Sequence, residues 1–329
     1  MKECMLSHKI DISVIIPLYN GEKYIGHCIE SVLTQDIGKI NFEVVVVNDG
    51  SIDGSADIVN KYQLIYPQTI KVIHQKNKGA SEARKTGLKY AKGDYVVFLD
   101  SDDWIEKTAL KKMYDRCIFN ELDFLECSFV KYLSPKQSYN TKHKYVGIYT
   151  QPQFYSILFD VNEEIAVTCA MSRRELWSED MFLPVEVRLP NEDLFPLYTL
   201  ASKISRVEIT NEMPIYHYRY NPNSATQTNV LIKQQDLWKD YFKILRRRLV
   251  ELNLLERYEQ NVRMMEVNRL AFNVERYDVE DEWFKKVLKY EIAQFDFKHK
   301  ILAVLLKSPK LCRRLVELNR RLKRLISIR

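Results

Sequence analysis

No apolar run in the 329 residues approaches the ~20 needed to cross a bilayer, so no membrane span is expected. The opening residues, Met1 to His8, lack the apolar stretch of a signal peptide. The six cysteines, Cys4, Cys28, Cys117, Cys127, Cys169 and Cys312, form no C-x-x-C pair. That argues against both a thiolate zinc site and a disulfide framework, and reduced thiols in the cytoplasm are the simplest reading. Repeats and low-complexity segments are absent. So is a glycine-rich, Lys/Arg-bearing phosphate loop after the first strand, where the chain instead reads Pro17-Leu18-Tyr19-Asn20. That absence argues against a nucleotidyltransferase.

What is present fits a globular chain of one large or two ordinary domains, 46% hydrophobic and 29% charged. The net charge of +6 is unevenly spread. Residues 298–329 carry eleven Lys/Arg against Glu317 alone, giving +10 there and −4 for the remainder. A mildly acidic body thus carries a strongly basic tail.

Ile12–Pro17, Phe42–Val47, Ile70–His74 and Tyr95–Leu99 are short β-branched or aromatic runs and read as buried strands. Helical spacing separates them over 22–35, 53–65 and 80–91. Strands alternating with helices predict a mostly parallel, Rossmann-like α/β sheet with helices on both faces. Ligands of such sheets sit at the carboxyl ends of the strands. The polar clusters Pro17–Asn20, Asn48–Ser51 and Asp100–Asp103 all fall there. The Lys- and Tyr-rich stretch 131–150 predicts a hairpin or mobile loop, and a helix is expected soon after Trp104. Beyond Gln227 the pattern is helical, so the expected domains are 1–227 and an α-helical region, 228–329.

Asp100-Ser101-Asp102-Asp103 places three carboxylates within four residues after a buried strand. Like charges that close repel, and a hard cation relieves them. Mg²⁺ or Mn²⁺ binds through one or two carboxylates together with substrate phosphates, so the cluster points to a metal that holds a phosphorylated ligand. The competing reading is a strand end whose aspartates cap the next helix.

Taken in order, the motifs resemble the family 2 glycosyltransferases of the GT-A fold. They are Val14–Asn20, Val47–Ser51 with Asp53-Gly54-Ser55, Asn77-Lys78-Gly79 with Ala83-Arg84 and Gly87, Gly93-Asp94-Tyr95 running into Phe98–Asp103, Asn191-Glu192-Asp193, and Tyr216–Arg219. The resemblance covers about Ile12 to Gln227. One departure is Lys85, where the family often has asparagine after Ala-Arg.

The resemblance implies an inverting, metal-dependent enzyme. It moves a hexose or N-acetylhexosamine from a UDP-sugar to a saccharide or lipid-linked acceptor, in surface polysaccharide or glycolipid synthesis. It implies Asp102 as the metal ligand and Asp100, with Ser101, as the contact to ribose or a metal-bound water. Asp103 is either a ligand or a helix cap. Asp49 is implied to recognise uracil, with Pro17, Tyr19 and Asn20 lining the base pocket. Asn77 and Arg84 would bind donor, and the planar fork of Arg84 suits a diphosphate. Asp193, with Glu192 beside it, is the candidate general base, since an acceptor hydroxyl must lose its proton as it attacks. His217 is either a further metal ligand or a diphosphate contact, and Arg219 binds diphosphate from the same loop. Trp177 is either core or acceptor platform. A catalytically dead nucleotide-sugar-binding scaffold is the alternative from another class; retention of Asp100, Asp102 and Asp193 argues against it.

Leu311, Leu315, Leu318, Leu322 and Leu325 are spaced four, three, four and three, which makes one helical stripe flanked by arginines. An anionic membrane surface at the inner face of the cell membrane is ranked first as its partner. Packing on the protein body and a coiled coil between subunits of a homo-oligomer stay open. Nucleic acid is not expected.

Overall fold

The structure, a computed structural model, describes residues 9–160, 163, 165–183, 193–221, 235–274 and 277–326, with side chains in the last helix as far as Glu317. Chain contacts divide the protein into two compact units, Met1–Leu158 with Glu163–Pro222, and Phe159–Asn162 with Asn223–Arg329.

The first unit is built on an eight-stranded sheet. Its opening βα repeats are β1 (Ile12–Leu18), α1 (Ile25–Leu33), β2 (Phe42–Asn48), α2 (Ser55–Ile65), β3 (Ile70–His74), α3 (Ala80–Tyr90) and β4 (Tyr95–Phe98). All seven residues of β1 are buried, as a strand covered on both faces requires. Ile12, Val14, Ile16 and Leu18 share a core with Ile25, Cys28, Ile29 and Val32 of α1. Ile15 points the other way and meets α3. A Cβ added at Gly87 of α3 would sit 2.3 Å from Ile15 Cγ2, so that helix approaches the sheet closely enough to require glycine. The expected layering, with helices on both faces, follows from this alternation.

β5 (Trp104–Ile105) and α4 (Ala109–Phe119) come next, then β6 (Phe124–Cys127), β7 (Phe129–Ser134), β8 (Gln137–Asn140), β9 (Gly147–Thr150), α5 (Gln151–Leu158), β10 (Ala170–Arg173), α6 (Phe195–Leu200), β11 (Arg206–Thr210) and β12 (Tyr216–Tyr218). The large sheet has the order β3-β2-β1-β4-β10-β6-β11-β9. β1 pairs in parallel with β2 on one side and β4 on the other, and β2 pairs in parallel with β3. Chain order reverses between β1 and β4, and that switch point opens the crevice in which α/β sheets bind ligands. β10 runs antiparallel between β4 and β6. The predicted hairpin in 131–150 is β7 with β8, in a second sheet of order β5-β12-β7-β8. The helix expected after Trp104 begins only at Ala109, because Trp104 and Ile105 pair with His217 and Tyr216 of β12.

The second unit is helical where described: α7 (Gln235–Glu251), α8 (Leu255–Phe272), α9 (Glu282–Leu288), α10 (Phe297–Leu306) and α11 (Pro309–Ile326). Its helices surround a buried ion network. Glu266, 2% exposed, accepts two hydrogen bonds from Arg246, at 3.0 and 2.8 Å, and others from Trp283 Nε1 and Tyr290 Oη. Every lone pair the carboxylate buries is thereby matched to a donor. Among the described residues no helix is long and apolar enough to cross a membrane.

Candidate active site

Five loops meet at the carboxyl ends of the strands. Asn20 follows β1 in a left-handed conformation (φ 50°); its N–H donates to Ser51 Oγ at 3.0 Å and its Oδ1 accepts from Ile52 N at 2.9 Å. The loops after β1 and β2 are thus laced together. Pro17 is buried within β1, opposite Val47, whereas Tyr19 is half-exposed at the rim.

Asp49 is almost wholly buried. Its Oδ1 accepts from Gln75 Nε2 and Lys78 N at 2.8 and 2.9 Å, and its Oδ2 from Gly79 N at 2.7 Å. It therefore grips the loop that carries Asn77 and leads into α3. Gly50 closes the same corner at φ +73°, where a Cβ would lie 2.8 Å from Asn77 N. Side chains other than glycine are excluded both by that clash and by the backbone conformation.

Arg84, on α3, reaches the acidic turn and donates from Nη2 to Asp100 Oδ1 at 2.7 Å, with only 7% of its side chain exposed. Ser101 faces the loop after β1, 3.4 Å from where a Cβ on Gly21 would stand. Asp102 Oδ2 accepts from Asn221 Nδ2 at 2.8 Å. Burial pushes the Asp102 carboxyl above its usual range, and the neighbouring Asp100 adds to this against the bond from Asn221.

Asp103 is 2% exposed. It accepts from Tyr216 Oη at 2.5 Å and Arg219 N at 2.8 Å, and burial raises its pKa well above the usual carboxylate value. It caps no helix, since the residue before α4 is Thr108. It bolts the acidic turn to β12. Arg219 reinforces the joint, donating from Nε to the Asp102 carbonyl at 2.6 Å while its guanidinium lies 4.4 Å from the Trp104 ring centre.

His217, expected as a metal ligand or a diphosphate contact, sits beside this joint. Its Nε2 is 2.6 Å from Glu106 Oε1 and its Nδ1 3.3 Å from Tyr132 Oη, and its ring stacks on Trp104. Both nitrogens thus have partners in or beside the second sheet.

Asp193 precedes α6 and lines a tight cleft with Ser81, Arg84, Phe98, Trp177 and Phe182. Burial raises its pKa, Arg84 opposes the shift and Asp100 adds to it. Trp177 donates from Nε1 to Ser172 Oγ at 2.8 Å and packs on Phe98 and Phe182, so it serves as core and forms a wall of the cleft at once. Glu192 lies outside the described residues. Tyr216, Asn221 and Glu106 are contributors that sequence reasoning missed. Tyr216 lies inside the Tyr216–Arg219 motif, and its role shows only when Asp103 is placed against it.

A divalent cation fits this donor set in chemistry. Asp100 and Asp102 offer hard oxygens whose mutual repulsion a cation relieves. Among the described residues no group of three or more His, Cys, Asp or Glu is placed to hold a metal, so the remaining ligands would come from phosphate and water.

Behind the site, Glu126 of β6 is fully buried. One oxygen accepts from Ala166 N at 3.2 Å, the other has no partner among the described residues, and burial raises its pKa to about 8. The Asp193 charge pushes in the same direction. Stability from this group is fully present below the unfolded value of 4.5 and is lost as pH rises toward about 8. Glu126→Gln is therefore expected to flatten the fall in Tm between pH 6 and about 8.5 relative to the parent, as read by thermal melts across that window.

The fold, with the crevice at its switch point, is of the GT-A type. The chain belongs to glycosyl transferase family 2, whose description matches residues 13–179, just over half of the protein. It is 33% identical over 221 residues to the uncharacterized glycosyltransferase EpsJ of Bacillus subtilis, a match covering 66% of this chain and 63% of EpsJ. It is 43% identical over 106 residues to the minor teichoic acid biosynthesis protein GgaA of the same species, covering 31% of this chain and 24% of GgaA. The chain thus spans less than two thirds of either relative. Among solved structures, S. aureus TarS 1–349 in complex with UDP superposes with a TM-score of 0.57 at 22% identity, covering 95% of this chain and 92% of that one. The same TarS fragment has been solved with UDP-GlcNAc.

Proposed function

We propose that the protein transfers a hexose or N-acetylhexosamine from a UDP-sugar to a saccharide or lipid-linked acceptor, with inversion, in the synthesis of a surface polymer. The observation that carries this reading is the convergence of Asp49, Arg84, Asp100, Asp102 and Asp193 on one crevice. The UDP and UDP-GlcNAc complexes of TarS support a uridine donor, and the name of GgaA supports a cell-surface polymer as product.

In this reading Asp49 keeps acceptor capacity on Oδ2 for a base N–H, next to the loop it already holds. Arg84, held by Asp100, offers its guanidinium to the diphosphate. A divalent ion held by Asp102, with Asp100 near it, would neutralise charge on the departing diphosphate. Asp193 takes the proton from the acceptor hydroxyl as that oxygen bonds to the anomeric carbon and the bond to the diphosphate oxygen breaks. Its raised pKa makes it a stronger base than an exposed aspartate, and Arg84 opposes the rise. Inversion follows from this single displacement.

A panel of UDP-sugars with Mn²⁺, scored for thermal stabilisation and UDP release, tests the reading. At least one UDP-sugar is expected to raise Tm by a few degrees. If neither UDP nor any UDP-sugar stabilises the protein, the donor assignment is wrong.

A further inference from the structure

The described leucines of the α11 stripe, Leu311 and Leu315, do not face the helices that α11 packs on. Cys312 and Val316 are the buried side chains there, with Cys312 Sγ 3.7 Å from the Ala271 carbonyl of α8. Arg313 fixes the same joint, donating to the Val274 carbonyl at 3.1 Å. One residue round the helix, Leu311 and Leu315 are 47% and 41% exposed. The preceding helix repeats the arrangement. Leu302, Ala303 and Leu306 of α10 face inward, while Phe297, Ile301 and Val304, spaced four and three, are 80%, 43% and 54% exposed. Two consecutive helices thus carry an apolar stripe that is not the stripe used to build the unit. Exposed apolar residues aligned in this way mark an interaction surface.

The charge around them identifies the partner. Lys307, Lys310 and Arg314 are exposed beside the stripes, and residues 298–329 hold a charge of +10 on a chain whose remainder is −4. A protein partner or a second copy of this helix would bring its own charge pattern; two copies of so basic a segment would repel. We propose that α10 and α11 lie on an anionic lipid surface, inserting Phe297, Ile301, Val304, Leu311 and Leu315 at the headgroup boundary while Lys307, Lys310 and Arg314 meet the lipid charge. Neither helix crosses the bilayer, and the surface is independent of which donor sugar is used.

The full chain is tested by co-sedimentation with phosphatidylcholine vesicles and with vesicles that also contain phosphatidylglycerol, at low and high salt. Binding is expected to be at least about tenfold stronger with the anionic lipid and to weaken with salt. Leu311→Ser with Leu315→Ser is expected to lower binding at least about tenfold. Both positions are exposed, so the variant should keep the parent's Tm. Lys307→Glu with Lys310→Glu and Arg314→Glu, which leaves the stripes intact, is expected to abolish the preference for anionic lipid. Absence of vesicle binding, or binding that neither variant changes, overturns the proposal. So does self-association in lipid-free light scattering that the leucine variant abolishes, which would make the surface an interface between copies.

Discussion

Asp193→Asn is expected to retain donor binding and to lose transfer by roughly 10²–10⁴-fold, the range attributed to a positioned general base. Asparagine keeps the shape of the side chain but cannot accept a proton. The cleft walls, Phe98, Trp177 and Phe182, do not depend on its charge. Arg84 stays anchored to Asp100 in the variant, so the donor side of the crevice is left as it was. The measurement pairs thermal stabilisation by UDP with turnover on whichever acceptor supports the parent enzyme. A variant that turns over at the parental rate removes Asp193 from the role of base. A variant that also loses UDP stabilisation would mean that the residue shapes the donor pocket.

Asp102→Asn should produce two effects of opposite sign. Burial and the neighbouring Asp100 raise the pKa of this carboxyl, so its charged form costs stability in the unliganded protein. Asparagine removes that charge and can still accept the bond from Asn221. The unliganded Tm is therefore expected to hold or rise. With Mn²⁺ and UDP present the parent should gain stability and the variant should not, and turnover should fall on the order of 10²–10³-fold, equivalent to several kcal/mol of lost charge stabilisation. A lowered unliganded Tm together with undiminished Mn²⁺-dependent stabilisation would sink the assignment.

The parallel half of the sheet is legible in the sequence because β1 to β4 are short β-branched runs punctuated by turn residues and helical periods. Asp49 and the acidic turn follow from their places at strand ends, and Arg84 from its place on the helix after Asn77-Lys78-Gly79. The features that escaped depend on contacts between distant residues. Trp104–Ile105 is too short to show a period of two and becomes a strand only by pairing with β12. Asp103 reads as a cap until Tyr216, 113 residues later, is placed against it. The partners of His217 in this structure, Glu106, Tyr132 and Trp104, likewise lie far from it in the chain. In α11 the spacing of leucines marks an apolar face but cannot say which side of the helix meets the protein. Cys312 and Val316 do.

The bolt between Asp103 and Tyr216 bears on where this enzyme can be cut. The family description ends at residue 179, and every acidic residue of the Asp100–Asp103 turn lies before that point. β11, which completes the sheet beside β6, and β12, which supplies Tyr216 and the Arg219 amide, both lie after it. A fragment trimmed to the family boundaries would leave β6 with a bare edge and Asp103 as a buried carboxyl stripped of both its donors. The smallest portable version of this candidate site therefore extends past the residues that advertise it, through at least Asn221.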